Sequence, residues 1–471
     1  MQKNSEQVLN ENRENFRDKP ESGVSRRNRI NKITRNFFLH IHSARIHPHA
    51  LKPTYTLGFG IMLGFLFVIL LLTGVTLMFY YTPSVEGAYQ SVKDIIFVVP
   101  GGRIIRNMHR WAAHGMVILV FLHMIRVFYT GSYSDGRSTN WVIGVAMLVV
   151  VLLMSFSGYL LPWDQLAFWA VTIGSNIAGS FHELTDLLGI TSVIDIGGFF
   201  KKILIGDVSV GQPALTRFFA LHVIFLPVTL LVLTGVHFWR IRKDGGLSRP
   251  ISSEQSREKS DEKWLSWPVL MWLELAVLLS LLVVLIVMAI FVDAPLLEQA
   301  NPSIPENPAK SPWYFLGIQE MVSYSAFTGG VLVPLLYLGF LISIPYLDRE
   351  EKYTGIWFSS KQGLKITLLS IVFAIAVISL ILWFYTDIGW LRDWIPGISQ
   401  FWVMLLNPAS LLATIFILYS IWIRKRTRSM RMSSIALFSL TLTAFIILTL
   451  IGIKFRGPDW EFYWSISQWP K

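Results

Sequence analysis

The sequence predicts an all-α, polytopic membrane protein with about nine transmembrane helices. Three observations lead there. Of 471 residues, 53% are hydrophobic and only 15% are charged, whereas a soluble domain carries about 25% charged residues. The apolar residues gather into long runs with the charges between them. Alternating those runs across a bilayer from a cytoplasmic N-terminus places 29 of the 41 Lys and Arg on the inside, the bias that orients helical membrane proteins. The C-terminus then lies outside. The net charge of +11 belongs to cytoplasmic loops, and no nucleic-acid partner is expected. The absence of cysteine excludes disulfides, thiolate metal sites, iron–sulfur clusters held by this chain and thioether-linked haem.

The elements follow in order. Residues 1–52 form a polar tail lacking the short apolar core of a signal peptide, so the first span is expected to direct insertion. That span, Tyr55 to Tyr80, is an apolar run containing Gly60 and Gly74. The second, Ile104 to Tyr129, is apolar but carries His109, His114 and His123. The third, Trp141 to Leu161, contains Gly144 and Gly158. A long outside connection rich in Trp, Pro and Gly, Leu161 to Arg217, leads to the fourth span, Phe218 to Arg240, with His222 and His237. Lys243 to Lys263 is charged and Ser-rich, the composition of a mobile linker. The fifth span, Trp267 to Phe291, is followed by a second long outside connection, Val292 to Gly330. Long ordered connections of this kind are often functional. The sixth span, Val331 to Ile344, is short. The seventh is Leu364 to Tyr385, the eighth, Val403 to Ile423, is interrupted by Pro408, and the ninth is Ile435 to Ile453. The chain divides into a tail (1–52), a four-span unit (53–242), a cytoplasmic linker (243–266) and a five-span unit (267–471).

Five of the ten histidines lie inside apolar runs, where an ionisable residue is a functional candidate. His109 and His123 are 14 apart, which returns them to within about 40° of one helix face at a separation of about 21 Å. His222 and His237 are 15 apart, an offset of about 60° and about 22 Å. Both spans run from outside to inside. His109 and His222 therefore share an outer depth, and His123 and His237 an inner one. Two stacked bis-imidazole sites result, suited to two haems b with axial His/His ligation. His114 lies about 140° round from His109 and is not a ligand candidate. Singly, each histidine reads as a packing or proton-relay group; the matched spacing on two parallel helices argues against that for the set. The glycine pairs are also 14 apart. They suit either a macrocycle between helices or small-residue packing. Arg110 and Arg126 adjoin outer and inner histidines, where they suit propionate pairing or snorkelling.

These residues lie in segments that resemble the cytochrome b/b6 family, the haem b subunit of quinol:cytochrome c and quinol:plastocyanin oxidoreductases. The segments are TGVTLMFYYTP from Thr73, NMHRW from Asn107, FLHMIRVFYTG from Phe121, SGYLLPWDQLAFWAVT from Ser157, ALHVIFLP from Ala220, GVHFWRIRK from Gly235 and PWYFLGIQE from Pro312. The His spacing resembles the b6 branch, here fused with the part that resembles its separate smaller partner. The resemblance implies two non-covalent haems b and two quinone sites. An outer quinol-oxidising site would use Gly158, Tyr159, Pro162, Trp163, Pro312, Trp313 and Tyr314. An inner quinone site would lie near His123 and His237, with Arg242 and Lys243 on the family's positive pair. Asp244 and Glu274 would assist protonation there, or Glu274 is only a polar residue facing the bundle. It further implies a Rieske iron–sulfur partner, a c-type cytochrome or other acceptor, a homodimeric complex, proton translocation and the cytoplasmic membrane of a bacterium.

Departures sharpen the expectation. The family's Pro-Glu-Trp-Tyr is here Ser311-Pro312-Trp313-Tyr314, so its Glu is absent; Glu320 is either the substitute or a surface carboxylate. The position of the b6-branch cysteine that tethers a third haem is approximately Gly58 here. His40, His42, His47 and His49 cluster before the first span, as a metal site or a wet cluster without function. The terminal FRGPDWEFYW is expected outside, as a partner contact or a Trp/Tyr interfacial anchor. Two other classes explain part of the pattern: a dihaem membrane anchor of a dehydrogenase or hydrogenase without bifurcation, and a haem-free transporter with histidine proton relays.

Overall fold

The computed structural model describes residues 45–46, 48–134, 136–244, 246–248, 264–265, 269–350 and 353–470. Most of the expected tail and cytoplasmic linker, with His40, His42 and His47, lies outside these residues. Among the described residues the regular structure is helical apart from a two-residue strand pair: β1 (Arg45–Ile46) runs antiparallel to β2 (Trp264–Leu265) with Arg45 opposite Leu265.

In chain order the helices are α1 (Phe59–Met78), α2 (Ala88–Phe97), α3 (Gly102–Tyr129), α4 (Ser138–Leu160), α5 (Gln165–Gly179), α6 (Phe181–Leu187) and α7 (Ile196–Ile205). They continue with α8 (Gln212–Lys243), α9 (Val269–Phe291), α10 (Trp313–Tyr324), α11 (Thr328–Leu347), α12 (Lys361–Trp383), α13 (Gln400–Leu406), α14 (Pro408–Thr427) and α15 (Met430–Lys454). Among the described residues eight helices are long and apolar enough to cross a membrane, and the bent pair α13–α14 makes a ninth. The expected interruption at Pro408 is a 47° bend: Pro408 opens α14, and the Asn407 side chain caps it through the Ala409 and Ser410 amides. The chain is a multi-pass helical membrane protein.

α3 packs against α1, α4 and α9, and α4 against α8. The apolar layer at the centre of this bundle includes Leu66, Ala112, Val117, Val120, Leu148, Val151, Leu230 and Leu285. Within α1, α3, α4 and α8 these residues lie between the two expected functional depths, so an apolar layer separates them. Lipid tails are as apolar as leucine, so close van der Waals packing holds such a layer together.

α8 departs from a regular helix at Leu221–Phe225, a π-helical turn in which the Leu226 amide reaches back to the Leu221 carbonyl. Pro227 follows immediately and has no N–H to offer. A π turn accommodates one residue more than an α turn. The spacing of 15 between His222 and His237 therefore behaves much like the 14 of α3, and the offset expected from regular helix geometry is largely absorbed.

The long connection 161–217 is folded into α5, α6, α7 and the start of α8. The Asp164 side chain caps α5 through the Ala167 amide, 2.9 Å, and accepts from the Leu297 amide, 3.1 Å. Gln165 bonds Asn301 and Ile304, and Trp163 accepts from the Ala300 amide. The two long outside connections are thus stitched into one surface.

The C-terminal half is organised around α15, which packs on α10, α12 and α14. Half of its apolar window is buried, against 11–33% for the other spans. The helix is tied at both ends by buried ion pairs: Arg431 Nε to Asp348, 2.8 Å, and Arg456, just past its end, to Glu320, 2.5 Å.

Candidate functional site

α3 and α8 bring His109 and His222 together, and at the other depth His123 faces Gly60 and His237 faces Gly144. His109 and His222 meet with ring centroids 6.2 Å apart. Two imidazoles each about 2 Å from a shared metal leave their centroids roughly 6 Å apart, so this spacing fits an axial pair. Both outer rings are oriented through Nδ1: His109 meets Thr73 Oγ1 at 2.9 Å, and His222 meets the Met154 carbonyl at 3.0 Å and Ser157 Oγ at 3.3 Å. A ligating histidine is held this way, its second nitrogen fixed by the protein and its Nε2 free for a metal.

Each expected glycine faces one of these histidines. A Cβ on Gly60 would lie 3.5 Å from His123, on Gly74 3.2 Å from His109 and on Gly144 3.9 Å from His237. On Gly158 it would overlap the His222 ring, reaching Nδ1 at 2.9 Å. The backbones of α1 and α4 therefore lie directly against the imidazoles at both depths.

Arg110 and Arg126 flank the pairs. Arg110 places its guanidinium 5.0 Å from the Tyr159 ring centroid, and its buried Nε has no hydrogen-bond partner among the described residues. Arg126 is 4% exposed, bonds the Tyr55 carbonyl through Nε and stacks 4.2 Å from that ring centroid, but its Nη2 is likewise buried without a partner. Unsatisfied buried N–H groups beside each imidazole pair fit an anionic group such as a haem propionate.

The candidate outer residues lie at and just past the end of α4 and at the start of α10. Tyr159, Trp163 and Tyr314 are buried, Pro312 caps α10, and Trp313 opens it. Trp163 holds a left-handed backbone, φ 52°, a conformation that costs a bulky residue of order 1–3 kcal/mol. Asn107 bonds the Ala289 carbonyl, Asp293 and the Ala294 amide, and Trp111 bonds the Val292 carbonyl. These contacts fix the end of α9, and hydrogen bonds from Arg103 and then Asn107 hold the Asp293 carboxyl below the usual carboxylate range.

Of the two readings of Glu320, substitute acid or surface carboxylate, its burial excludes the second. It is 0% exposed. Its oxygens accept from Arg456 Nε and Nη2, the Tyr324 hydroxyl at 2.7 Å and the Trp460 indole at 3.1 Å. A carboxylate so fully engaged favours a structural role over proton transfer. The same contacts fold Arg456 and Trp460 back onto α10, so this part of FRGPDWEFYW is an internal brace, not a free membrane anchor. On the inner side Arg242 and Lys243 are exposed, Lys243 lies 4.9 Å over the Trp239 ring, Asp244 pairs with Arg240 at 3.2 Å, and Glu274 is half-buried. The histidine missed by spacing is His114: Trp313 donates to its Nδ1 at 3.0 Å. The signal available in the sequence was an ionisable residue within a span, set aside because it faced away from His109.

Residues 43–245 match the family described as cytochrome b/b6/petB. The chain is 37% identical over 229 residues to the menaquinol:cytochrome c reductase cytochrome b subunit of Geobacillus thermodenitrificans, covering 48% of this chain and 96% of that one. This chain belongs to the cytochrome b/b6 family. As a cytochrome b/b6 protein it is also 39% identical over 197 residues to cytochrome b6 of Heliomicrobium gestii, covering 41% of this chain and 87% of that one. A solved chain of a hyperthermophilic respiratory Complex III shares the fold of this cytochrome b/b6 chain, with TM-score 0.60 at 22% identity over 91% of this chain and 98% of the other. Family membership implies haem b binding, and the histidine pairs, glycine contacts and unpaired arginine N–H groups fit it.

Proposed function

We propose that this chain is the cytochrome b subunit of a bc/b6f-type quinol:cytochrome c oxidoreductase, oriented with its N-terminus in the cytoplasm of a bacterium. The observation that carries the reading is the pairing of His109 with His222 at 6.2 Å, each ring fixed through Nδ1. The relatives named as a menaquinol:cytochrome c reductase subunit and as cytochrome b6 support the reaction class.

In this reading His109 and His222 hold the outer haem, and His123 and His237 the inner one. Bound there, the two haems supply one-electron centres at two depths of the membrane. Gly60, Gly74, Gly144 and Gly158 keep side chains away from the imidazoles and so would leave room for the macrocycles, and Arg110 and Arg126 would neutralise propionates with their unpaired N–H groups. Tyr159, Trp313 and Tyr314, with Pro312, form an apolar, largely aromatic wall that holds the flat quinol ring and excludes water. Arg242 and Lys243 bind the quinone headgroup region on the inner side. Of the quinol's two electrons, one leaves to a Rieske iron–sulfur partner docked on the stitched outer connections and onward to a c-type cytochrome, and the other would reach quinone at the inner site by way of the outer and inner sites that His109/His222 and His123/His237 would hold. Release of protons outside and uptake inside store the energy across the membrane. A homodimeric complex completes the assembly.

The test is a haem count with reduced-minus-oxidised spectra. The purified chain should hold two low-spin b-type haems, and His109→Ala or His222→Ala should remove only the outer one. Fewer than two haems in folded protein, or loss of both from folded single variants, overturns the assignment.

A further inference from the structure

We infer that His114 is a substrate-binding group of the outer site, whose Nε2–H donates a hydrogen bond to an oxygen of the quinol or quinone. This rests on the outer-site reading above. His114 lies on α3 and reaches the start of α10, where Trp313 Nε1 donates to its Nδ1 at 3.0 Å. An indole nitrogen only donates, so Nδ1 accepts, and the neutral imidazole then carries its proton on Nε2. The ring sits 5.6 Å from the Trp111 ring and 6.3 Å from that of Tyr314, centroid to centroid. The side chain is half-buried, and no described residue bonds Nε2. A donor of fixed tautomer among three aromatic rings matches a flat aromatic ligand whose oxygens accept hydrogen bonds.

The tautomer also limits the role. Nε2 already bears a proton, and taking a second at Nδ1 requires release of Trp313. His114 therefore orients substrate and does not serve as the general base.

The experiment measures kcat and KM of the purified whole complex with a short-tailed naphthoquinol, with haem spectra as the check on folding. His114→Leu should raise KM roughly five- to tenfold, the worth of one hydrogen bond, with kcat nearly unchanged, the signature of lost uniform binding. His114→Gln, which keeps an N–H donor, should recover most of that loss. An unchanged KM in His114→Leu overturns the proposal. So does a fall in kcat of about a hundredfold or more in both variants, the signature of a lost base. A wild-type complex that holds its haems but oxidises no quinol overturns the outer-site reading itself, and this inference with it.

Discussion

At Gly158 a single hydrogen atom stands where any side chain would collide with His222, while Gly144 leaves its histidine an ordinary 3.9 Å. The difference orders the variants. Gly158→Ala should push the His222 ring aside and deplete the outer b-type absorbance. Gly144→Ala should leave the His237 ring where it is, so histidine placement at the inner pair survives. Thr73→Val removes the oxygen that meets His109 Nδ1 and should weaken outer haem retention by about 10- to 100-fold, the usual cost of a lost orienting partner; haem titration into the apoprotein reads it. The four ligand candidates were legible because they are ionisable groups in apolar runs with matched spacing. The orienting groups Thr73, Ser157 and the Met154 carbonyl were not, since hydroxyls and carbonyls are common in membrane helices and only the fold shows which face a histidine. Glu320 illustrates the opposite limit: its position after the PWY segment suggested chemistry, and its partner Arg456, 136 residues away, could not be read from local sequence.

Among the elements, α8 shows how a helix can hide its register. The 15-residue spacing implied an imperfect alignment, and the π turn at Leu221–Phe225 takes up the extra residue. Deleting Ile224 should let that turn relax to α-helix and leave His222 and His237 in register. Deleting Val232 from the regular stretch turns them about 100° apart and should cost a haem. The nine spans were legible from apolar run lengths, and even the eighth was flagged by its proline. The burial of the ninth was not, because an apolar run looks the same facing lipid or protein. α15 is the most buried of the spans and is pinned by Arg431–Asp348 and Arg456–Glu320. Removing one partner of a buried pair leaves an uncompensated charge and costs about 3–5 kcal/mol. Arg456→Ala should therefore lower thermal stability in detergent, and Arg456→Ala with Glu320→Gln should recover part of it.

For the molecule as a whole, the charge bias and the stacked histidine depths describe one polarity from two directions. The lack of cysteine makes that polarity directly measurable. A cysteine placed at Ser303 should react with an impermeant maleimide from outside the cell and one at Ser253 only from the cytoplasm; the reverse pattern would invert the orientation. Most of the α-helical, multi-span plan was legible because a bilayer allows few solutions. The union of the two outside connections was not, because Asp164 and Gln165 meet residues 297–304 only in three dimensions. The brace from Arg456 to Glu320 also sets an order of manufacture. Helix α10, which carries Trp313 and Tyr314, is made long before residue 456 has been synthesised. Until then Glu320 lacks its cation. A chain ending between the two would carry all four histidines of the bundle but an outer wall not yet locked by Arg456.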